Sequence, residues 1–290
     1  MAFAHEPSAV APAPDTCLVC GATAWEPHWE VLARCRSCGF LTARVDEPTD
    51  VRAIYEGDYF TGGEYFDYAA DERLFRRNFQ RRLAHLRRFQ PGGRLLEIGA
   101  AYGFFLELAR AHYETVGFEL NPQAAQHARS AFGLDVRNDD FLSATVADIG
   151  GPIDAVVLWD VIEHLPQPDL YLRRIASLAR PGATLCLTTG DAGSLLARLR
   201  GRRWRMVHPP THLHYFSRAT IRRLLDRAGF RVVDVRAVGV ARSYRQVLFS
   251  LLVGRLDRQR AEDLATRWMP AGRGFTLNTF DIMQVTAERN

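Results

Sequence analysis

From residue 94 onward the chain alternates between short apolar runs and longer segments in which apolar residues recur at helical spacing. Short apolar runs of this kind predict buried strands, and the 3.6-residue period predicts helices packed on them. The predicted strands lie near 94–98, 115–120, 134–137, 153–159, 183–189, 231–238 and 275–285, and the predicted helices at 104–112, 122–132, 168–179 and 217–229. This alternation predicts an α/β fold, in which helices cover both faces of a parallel sheet.

The rest of the chain divides into segments of different composition. Residues 1–14 consist mostly of small residues and prolines and are interpreted as a flexible tail, and residues 15–45 as a small cysteine-bearing module. Residues 46–90 are interpreted as a linker followed by an arginine-rich helix, and residues 91–290 as the α/β domain. A mostly helical insertion is expected near 242–269, before the last strand.

Four of the five cysteines form two Cys-x-x-Cys pairs, Cys17 with Cys20 and Cys35 with Cys38. A glycine follows each pair and lets the chain turn back beneath the sulfur atoms. Four thiolates complete the tetrahedral shell of Zn²⁺ and leave no open position, so the spacing predicts a structural zinc site. A redox arrangement is the alternative. The fifth cysteine, Cys186, lies in an apolar run and is interpreted as a core residue.

The basic residues are 37 arginines without a single lysine, and the formal net charge is +4. The absence of lysine excludes a Schiff base, a Walker-type phosphate lysine and a lysine general base. A charge of +4 is too small to indicate a nucleic-acid partner. No stretch approaches the roughly 20 apolar residues of a membrane span, so we expect no membrane contact and a cytoplasmic location.

Two groups of arginines are candidates for binding an anionic substrate. Six arginines lie between Arg76 and Arg88, and Arg202, Arg203 and Arg205 follow the predicted fifth strand. Because guanidinium groups bind phosphate and carboxylate bidentately, both groups favour a phosphorylated, carboxylated or nucleotide-linked small molecule. A solvated helix face is the alternative for the first group.

The first strand of the α/β region runs into a loop that contains two glycines, Gly99 and Gly103, and is preceded by Glu97. Glycines at the carboxyl end of a strand let the backbone approach a ligand closely and turn into the next helix. The spacing differs from that of a nicotinamide dinucleotide site. Glu119 ends the second strand, 20 residues after Gly99, where a carboxylate can accept both hydroxyls of a ribose.

These residues resemble the motifs of class I S-adenosylmethionine-dependent methyltransferases. The acidic and apolar pair Asp140-Phe141 matches their adenine-binding positions, with Asp139 as the alternative acid, and the segment that begins at Trp159 resembles their fourth-strand motif. The resemblance, which covers roughly residues 90–240, implies a Rossmann-like fold with a seven-stranded, mostly parallel sheet.

The resemblance also implies a cofactor, S-adenosylmethionine, and a set of residues that bind it. Those residues are Glu97, Gly99, Ala101, Gly103, Glu119, Leu120, Asp140, Phe141, Trp159 and Tyr59. Ala101 stands where many members carry glycine. Tyr59 belongs to an aromatic cluster in the linker and is expected to close over the cofactor, with core packing as the alternative.

Residues 201–216 resemble a stretch found in methyltransferases associated with polysaccharide or natural-product genes, and the cysteine module resembles the zinc-binding N-termini of bacterial sugar methyltransferases. These likenesses imply O-methylation of a sugar or another polyhydroxylated natural product. The alternatives are C-methylation of a nucleotide sugar, RNA methylation and a non-catalytic zinc-bearing binding protein. Nothing in the sequence indicates the oligomeric state.

Candidate bases lie in the loop after the fifth strand. His212 and His214 are expected to face the substrate, because this loop commonly covers the substrate in the fold. A histidine with a pKa near ~6.5 accepts an alcohol proton near neutral pH. Tyr215 is a weaker candidate. The alternative is that either histidine only satisfies backbone groups in a proline-rich loop.

Three residues after the fourth strand form a candidate metal site. Asp160, Glu163 and His164 resemble the positions that hold a divalent ion in ubiquinone-pathway O-methyltransferases. Two carboxylates and an imidazole could hold Mg²⁺ against an acceptor oxygen, which also makes His164 a candidate catalytic residue. A structural role, with the glutamate capping and the histidine packing, is the alternative.

Overall fold

The computed structural model describes residues 13–45, 71–252, 258–269 and 272–290. The strands are β1 (Trp25–His28), β2 (Leu32–Cys35), β3 (Leu41–Ala43), β4 (Gly93–Ile98), β5 (Tyr113–Phe118), β6 (Val136–Arg137), β7 (Ile153–Trp159), β8 (Ala179–Gly190), β9 (His214–Tyr215), β10 (Phe230–Ala237), β11 (Val240–Ser243), β12 (Gly274–Leu277) and β13 (Ile282–Arg289). The α-helices are α1 (Glu72–Leu86), α2 (Phe104–Ala109), α3 (Pro122–Phe132), α4 (Val146–Ile149), α5 (Pro168–Leu178), α6 (Leu195–Arg200), α7 (Arg218–Arg227), α8 (Tyr244–Leu252) and α9 (Arg258–Trp268).

The central sheet has seven strands in the order β10-β13-β8-β7-β4-β5-β6. Only β13 runs antiparallel to its neighbours in this sheet; β6, β5, β4, β7 and β8 pair in parallel. The predicted α/β fold with a seven-stranded, mostly parallel sheet is therefore confirmed. The chain moves outward from β4 in both directions, so the switch point lies between β4 and β7, where such sheets form a ligand crevice.

Strands at the middle of the sheet are buried on both faces. Leu95 and Leu96 of β4 are both fully buried and belong to two different core clusters. Side chains of neighbouring strand residues point to opposite faces, and a sheet covered by helices on both sides must fill each face. Phe79 of α1 and Phe105 of α2 pack on one face, and Ile221 of α7 packs on the other.

Two helix starts that the sequence predicts are confirmed. The Asn121 side chain accepts a hydrogen bond from the Ala124 N–H, and Pro122 occupies the first turn of α3. Ser217 and Thr220 form a capping box at the start of α7. Such caps satisfy backbone N–H groups that have no partner within the helix.

The predicted last strand at 275–285 is wrong in one respect, because the structure divides it into two strands. The turn between them contains Phe280, whose φ is +58°, and the Phe280 N–H donates to the Asn278 side chain. β12 pairs with β11 in a separate two-stranded sheet, whereas β13 joins the central sheet. The expected helical insertion contains α8 and α9, and residues 253–257 lie outside the described part of the chain.

The cysteine module is joined to the rest of the chain by a second sheet with the order β1-β2-β3-β9. Leu41 pairs with Tyr215 across β3 and β9, although these residues are far apart in sequence. Val19 and Phe40 of the module belong to the same core cluster as Phe216. The module and the segment around His214 therefore form one packed unit.

Some predictions fall on residues outside the described ranges, namely the flexible tail through residue 12 and the linker residues 46–70, which include Tyr59. Among the described helices, none combines the length and the apolar character that crossing a membrane requires.

Candidate functional site

The loop after β4 is shaped by three residues with positive φ. Gly99 and Gly103 have φ of +75° and +82°, and Ala101 between them has +47°. A Cβ atom on Gly99 would lie 2.5 Å from Val161 Cγ2, and one on Gly103 would lie 2.7 Å from Leu134 Cδ1. Both positions therefore require glycine for space as well as for conformation, while the Ala101 methyl group tolerates a left-handed backbone at a cost of about 1 kcal/mol.

The Glu119 carboxylate lies against this loop, immediately after β5. Its Oε2 accepts from the Ala101 N–H and its Oε1 accepts from the Asn121 N–H, each at 2.8 Å. The residue is 5% exposed, and burial raises the pKa of Glu119 although these N–H donors oppose the shift. A carboxylate has about four lone-pair sites, so each oxygen keeps acceptor capacity for a ligand hydroxyl.

Asn138, which the sequence analysis missed, fixes the end of β5 from the neighbouring strand. Its Nδ2 donates to the backbone oxygens of Glu119 and Leu120, both at 2.8 Å. Leu120 itself is half-buried at the same edge. The signal that could have found Asn138 is its position directly after β6, where ligand-binding side chains collect in this fold.

The predicted adenine-binding pair, Asp140 and Phe141, contacts other residues of the chain. Asp140 Oδ1 accepts from the Leu142 N–H at 2.9 Å and from the Tyr171 hydroxyl at 2.7 Å, so it caps the short 3₁₀ turn at Phe141–Ser143. Phe141 is 1% exposed and packs in the core. The neighbouring Asp139 is exposed at the same edge.

Two buried polar side chains beside the glycine loop have atoms without a hydrogen-bond partner in the described part of the chain. These atoms are Glu97 Oε2 at the end of β4 and Trp159 Nε1 at the end of β7. Burial, reinforced by the nearby Glu119, raises the pKa of Glu97 well above its usual range. Unpaired buried polar atoms are costly, so their presence beside the switch point is typical of a site that binds a ligand.

An ion pair between Arg82 and Asp160 closes one side of the crevice. Arg82 Nη2 lies 2.8 Å from Asp160 Oδ2, and the guanidinium stands 5.1 Å from the centre of the Trp159 ring. The Asp160 N–H donates to Thr188 on β8. Although burial opposes it, the Arg82 charge holds the pKa of Asp160 below its usual range. Arg82 belongs to α1 and Asp160 directly follows β7, so this ion pair links α1 to the end of β7.

The loop after β8 is tied to the segment after β7 by backbone hydrogen bonds. The N–H groups of Leu213 and His214 donate to the backbone oxygen of Glu163 at 2.9 and 3.1 Å. His164 Nδ1 lies 2.8 Å from the Thr211 oxygen, and His212 Nδ1 lies 2.9 Å from the Met206 oxygen.

These contacts bring Glu163, His164 and His212 together. One possible ligand atom of each lies within 4.8 Å of those of the other two, and all three residues are buried. Neither carboxylate oxygen of Glu163 has a hydrogen-bond partner among the described residues. Burial and the Asp160 charge raise the pKa of Glu163 to about 8, while burial lowers the pKa of His164 to about 4 and that of His212 well below 6.5.

The predicted set of Asp160, Glu163 and His164 is thus not the group that the structure assembles. Asp160 is paired with Arg82, and His212 joins Glu163 and His164 instead. The difference arises because the loop after β8 folds over the end of β7, a contact between residues about 50 positions apart that local spacing does not indicate.

His214 and Tyr215 make structural contacts. His214 Nδ1 lies 3.1 Å from Thr42 Oγ1, and its Nε2 lies 3.3 Å from the Pro166 oxygen. The Tyr215 hydroxyl donates to the His212 oxygen at 2.9 Å. Burial lowers the pKa of His214 to about 4. Because both ring nitrogens of His214 are engaged, the geometry favours His212 as the base.

The arginine groups are only partly available for a substrate. Arg76 pairs with Glu72 and Glu107. Arg202 and Arg205 pair with Glu30 and Asp281, respectively. Arg76, Arg202 and Arg205, like Arg82, are therefore already paired with carboxylates of the chain, and anion binding by the two arginine groups stays a prediction.

The four cysteines of the N-terminal module lie close together. The Cys17 and Cys38 sulfur atoms are 3.7 Å apart, those of Cys20 and Cys35 are 3.6 Å apart, and all four lie within 4.8 Å of one another. Zn–S bonds of about 2.3 Å in a tetrahedron place sulfur atoms about 3.8 Å apart. The donor set and its spacing are therefore compatible with a zinc ion.

Comparison with known proteins decides the family. Residues 69–235, more than half of the chain, match the family described as "Methyltransferase domain". The chain belongs to this family. The class that the motifs predict, a S-adenosylmethionine-dependent methyltransferase, is confirmed at the level of family and fold.

Named relatives and solved structures resemble parts of this methyltransferase. Ubiquinone biosynthesis O-methyltransferase of Xanthomonas campestris pv. campestris is 33% identical over 105 residues, which are 34% of this chain and 44% of that protein. The enzyme of the same name from Cereibacter sphaeroides is 30% identical over 155 residues, or 49% and 62% of the two chains. The matched region thus spans about half the length of these relatives.

A solved structure supports the fold. Magnesium protoporphyrin IX methyltransferase from Synechocystis PCC 6803 with bound SAH has a TM-score of 0.52 at 15% identity, and the match covers 82% of this chain and 100% of that chain. At this identity the likeness concerns the fold alone.

Proposed function

We propose that this methyltransferase transfers a methyl group from S-adenosylmethionine to a small-molecule acceptor. The observation that carries the proposal is the Glu119 carboxylate, held 2.8 Å from the backbone of the glycine loop. A buried acid at this position, with acceptor capacity left on both oxygens, suits the two hydroxyls of a ribose.

The residues around the loop fit the rest of the cofactor. The backbone at Gly99 and Gly103 leaves room where side chains would clash, and Glu97 and Trp159 offer polar atoms without a described partner. The other residues that we propose to bind the cofactor at this edge are Ala101, Leu120 and either Asp139 or Asp140. When bound, S-adenosylmethionine supplies an activated methyl group, so the protein mainly has to align the acceptor and remove a proton.

His212 is the proposed base. Its Nδ1 is bonded to the Met206 oxygen, which leaves Nε2 as the nitrogen that accepts a proton from the acceptor hydroxyl. Burial, with the neighbouring His164 and His208, lowers the pKa of His212, so the ring is neutral at pH 7 and has a free lone pair, although the lowered pKa also makes it a weaker base.

The preferred acceptor is a hydroxyl of a sugar or another polyhydroxylated compound. The names of the relatives, which are O-methyltransferases, support an oxygen acceptor. The net charge of +4 favours a small molecule over RNA. C-methylation of a nucleotide sugar remains the alternative within the same substrate class.

Methyl-labelled S-adenosylmethionine tests this function. The purified protein is incubated with nucleotide sugars, phenols and RNA, and the labelled product is identified by mass spectrometry. Label on an oxygen of a sugar or phenol is the expected result. Label on carbon or on RNA, or no transfer to any acceptor, contradicts the proposal of O-methylation.

We also propose that the four-cysteine module holds one structural Zn²⁺. The sulfur–sulfur distances of 3.6 and 3.7 Å support this, because they match a tetrahedral thiolate site. Metal analysis of the purified protein is expected to give one zinc per chain, and Cys38→Ala is expected to lose it. Metal-free protein with intact thiols would contradict the proposal.

A second candidate is that Glu163, His164 and His212 hold a catalytic divalent ion, for which two imidazoles and one carboxylate suit a transition metal such as Mn²⁺ better than Mg²⁺. The buried Glu163 carboxylate supports it, because this group has no described hydrogen-bond partner to compensate its burial. Titration of Mg²⁺ and Mn²⁺ into dialysed enzyme separates the two roles of His212. A rate that rises with the ion favours metal assistance, and a rate that does not respond favours the base.

A further inference from the structure

A cavity of about 600 Å³ lies between α1 and the strands β10 and β12. Residues 237–239, at and just after the carboxyl end of β10, form part of its wall. β10 is antiparallel to β13, and β13 is antiparallel to β8, so β10 ends at the same edge of the sheet as β7 and β8. The cavity therefore opens at the edge that carries the cofactor loop.

The walls of this cavity are strongly basic. Arg81 and Arg82 of α1, Arg88 just after α1 and Arg236 of β10 line it. Arg82 is neutralised by Asp160, and Arg236 Nε lies 4.0 Å from Asp234 Oδ2.

Two guanidinium groups of the cavity remain without a carboxylate. Arg81 donates to the Thr276 hydroxyl at 3.2 Å. Neither Arg81 nor Arg88 is paired with an acid in the described part of the chain. The cavity thus carries two positive charges that the described residues do not compensate.

Buried polar groups of the cavity wall also lack partners within the described ranges. They are Nδ1 of His85 and Nε2 of Gln284, in residues that are 4% and 1% exposed, and Nε of Arg236. Burial and the charge of Arg236 lower the pKa of His85 to about 4, so the ring is neutral at pH 7. Buried groups of this kind are normally hydrogen-bonded, so they point to a ligand that supplies several acceptors.

Arg82 connects the cavity to the methyl-transfer site. It lines the cavity and also bonds Asp160 beside the Trp159 ring. Arg88 lies six residues beyond Arg82, just after α1, which leads toward the start of β4 at the opposite edge of the sheet. An acceptor whose phosphoryl group lies near Arg88 would therefore have to reach back past Arg82 to approach the cofactor loop.

We propose that this cavity binds a phosphoryl group of the acceptor, so that the methylated substrate is a phosphorylated or nucleotide-linked small molecule. The assignment to the acceptor rests on the proposed function. Arginine binds phosphate oxygens through paired N–H groups, and His85 and Gln284 add neutral polar contacts. A phosphoryl group offers three acceptor oxygens, which suits this mixture of donors better than a single hydroxyl does.

Calorimetric titration of the SAH-loaded protein with inorganic pyrophosphate tests the site. Wild-type protein is expected to bind the probe, and Arg88→Gln is expected to weaken binding about 10- to 100-fold. Arg87→Gln is the matched control, because Arg87 is the neighbouring exposed residue at the end of α1 and does not line the cavity. Its affinity is expected to stay within twofold of wild type. Thermal unfolding confirms that both variants are folded.

Three results would overturn the site: no pyrophosphate binding by the wild type at millimolar concentration, equal losses in the two variants, or acetate binding as tightly as pyrophosphate. Equal losses would indicate general attraction to a basic protein. Acetate binding would indicate a carboxylate site instead.

A kinetic measurement tests the link to the acceptor. With a nucleotide sugar as acceptor, Arg88→Gln is expected to raise KM about tenfold or more while kcat stays near the wild-type value. An unchanged KM would overturn the assignment to the acceptor. SAH binding is measured first: if SAH binds and pyrophosphate does not, only this inference fails, and if SAH does not bind, the proposed function itself fails.

Discussion

His212 and His214 lie in the segment that follows β8, and His164 contacts this segment at Thr211. The ring nitrogens of these three histidines have different partners. His214 is engaged at both nitrogens, by Thr42 and by Pro166. His212 is bonded through Nδ1 to the Met206 oxygen and lies beside Glu163 and His164. The same residue type therefore serves two purposes within three positions of the chain, one structural and one proposed to be catalytic.

Replacement of the two histidines by asparagine separates these roles. His212→Asn keeps a group that can bond Met206 but removes the proton acceptor, so turnover is expected to fall about 10²- to 10⁴-fold with SAH affinity unchanged. His214→Asn is expected to lower the unfolding free energy by about 1–3 kcal/mol and to keep most of the turnover. Steady-state kinetics and urea unfolding measure both. Equal turnover losses in the two variants would contradict the assignment of the base.

The approach of the Glu119 carboxylate to the loop that contains Gly99 and Gly103 could be predicted from the sequence. Strand, loop and acid follow one another within about 20 residues, and Glu119 accepts from the Ala101 N–H in that loop. The choice between His212 and His214 could not be predicted, because it depends on Thr42, 172 positions away from His214. Asp160 was grouped with Glu163 for the same reason, since its partner Arg82 is 78 positions upstream.

At the scale of elements, β3 of the cysteine module supports the histidine loop directly. Thr42 Oγ1 lies 3.1 Å from the Leu213 oxygen and 3.1 Å from His214 Nδ1, either of which can accept its hydroxyl hydrogen, and Phe40 lies 5.6 Å from the His214 ring. The module therefore sets the position of the segment that contains the proposed base, in addition to any metal that it holds.

Thr42→Val tests this support, because valine matches the shape of threonine but lacks the hydroxyl. The variant leaves buried acceptors unpaired and is expected to lose about 1–3 kcal/mol of unfolding free energy, with lower turnover and unchanged SAH affinity. Thr42→Ser keeps the hydroxyl and is expected to restore turnover to near the wild-type value. If both variants behave alike, the hydroxyl does not position the loop.

Long elements with clear periodicity were predicted well, whereas some of the short ones were missed. β7 and α3 match their predicted ranges. β9 has only two residues and forms by pairing with β3, so it has no local signature. β12 and β13 were predicted as one strand because the apolar pattern continues through a turn that only the backbone at Phe280 reveals.

For the whole molecule, the distribution of arginines is more informative than their number. Arg76, Arg202 and Arg205 pair with acids of the chain, whereas Arg81 and Arg88 face a cavity without such partners. The total charge of +4 could be read from the sequence, but the pairing could not, because it depends on which helices and loops meet.

Stability of the whole molecule is expected to fall in acid, in part because of His85. Its pKa is lowered from 6.5 to about 4 by burial and by Arg236, so the unfolded chain takes up a proton first as the pH falls. The contribution of neutral His85 to the unfolding free energy is fully present above pH 6.5. It is lost as the pH falls from 6.5 to about 4, a decrease of up to about 3 kcal/mol. His85→Gln is expected to flatten this part of the stability profile in urea unfolding. His112→Gln, at an exposed position, is the control, and an equal slope in both variants would contradict the role of His85.

The most direct test of the central claim is calorimetric titration of SAH into the wild type and into Glu119→Ala. The wild type is expected to bind SAH, and loss of the carboxylate that accepts the ribose hydroxyls is expected to weaken binding about 100-fold or more. Glu114→Ala, at a side chain that is 74% exposed near the start of β5, is expected to bind as the wild type does. A wild type that does not bind SAH, or a folded Glu119→Ala with unchanged affinity, would contradict the proposed cofactor site.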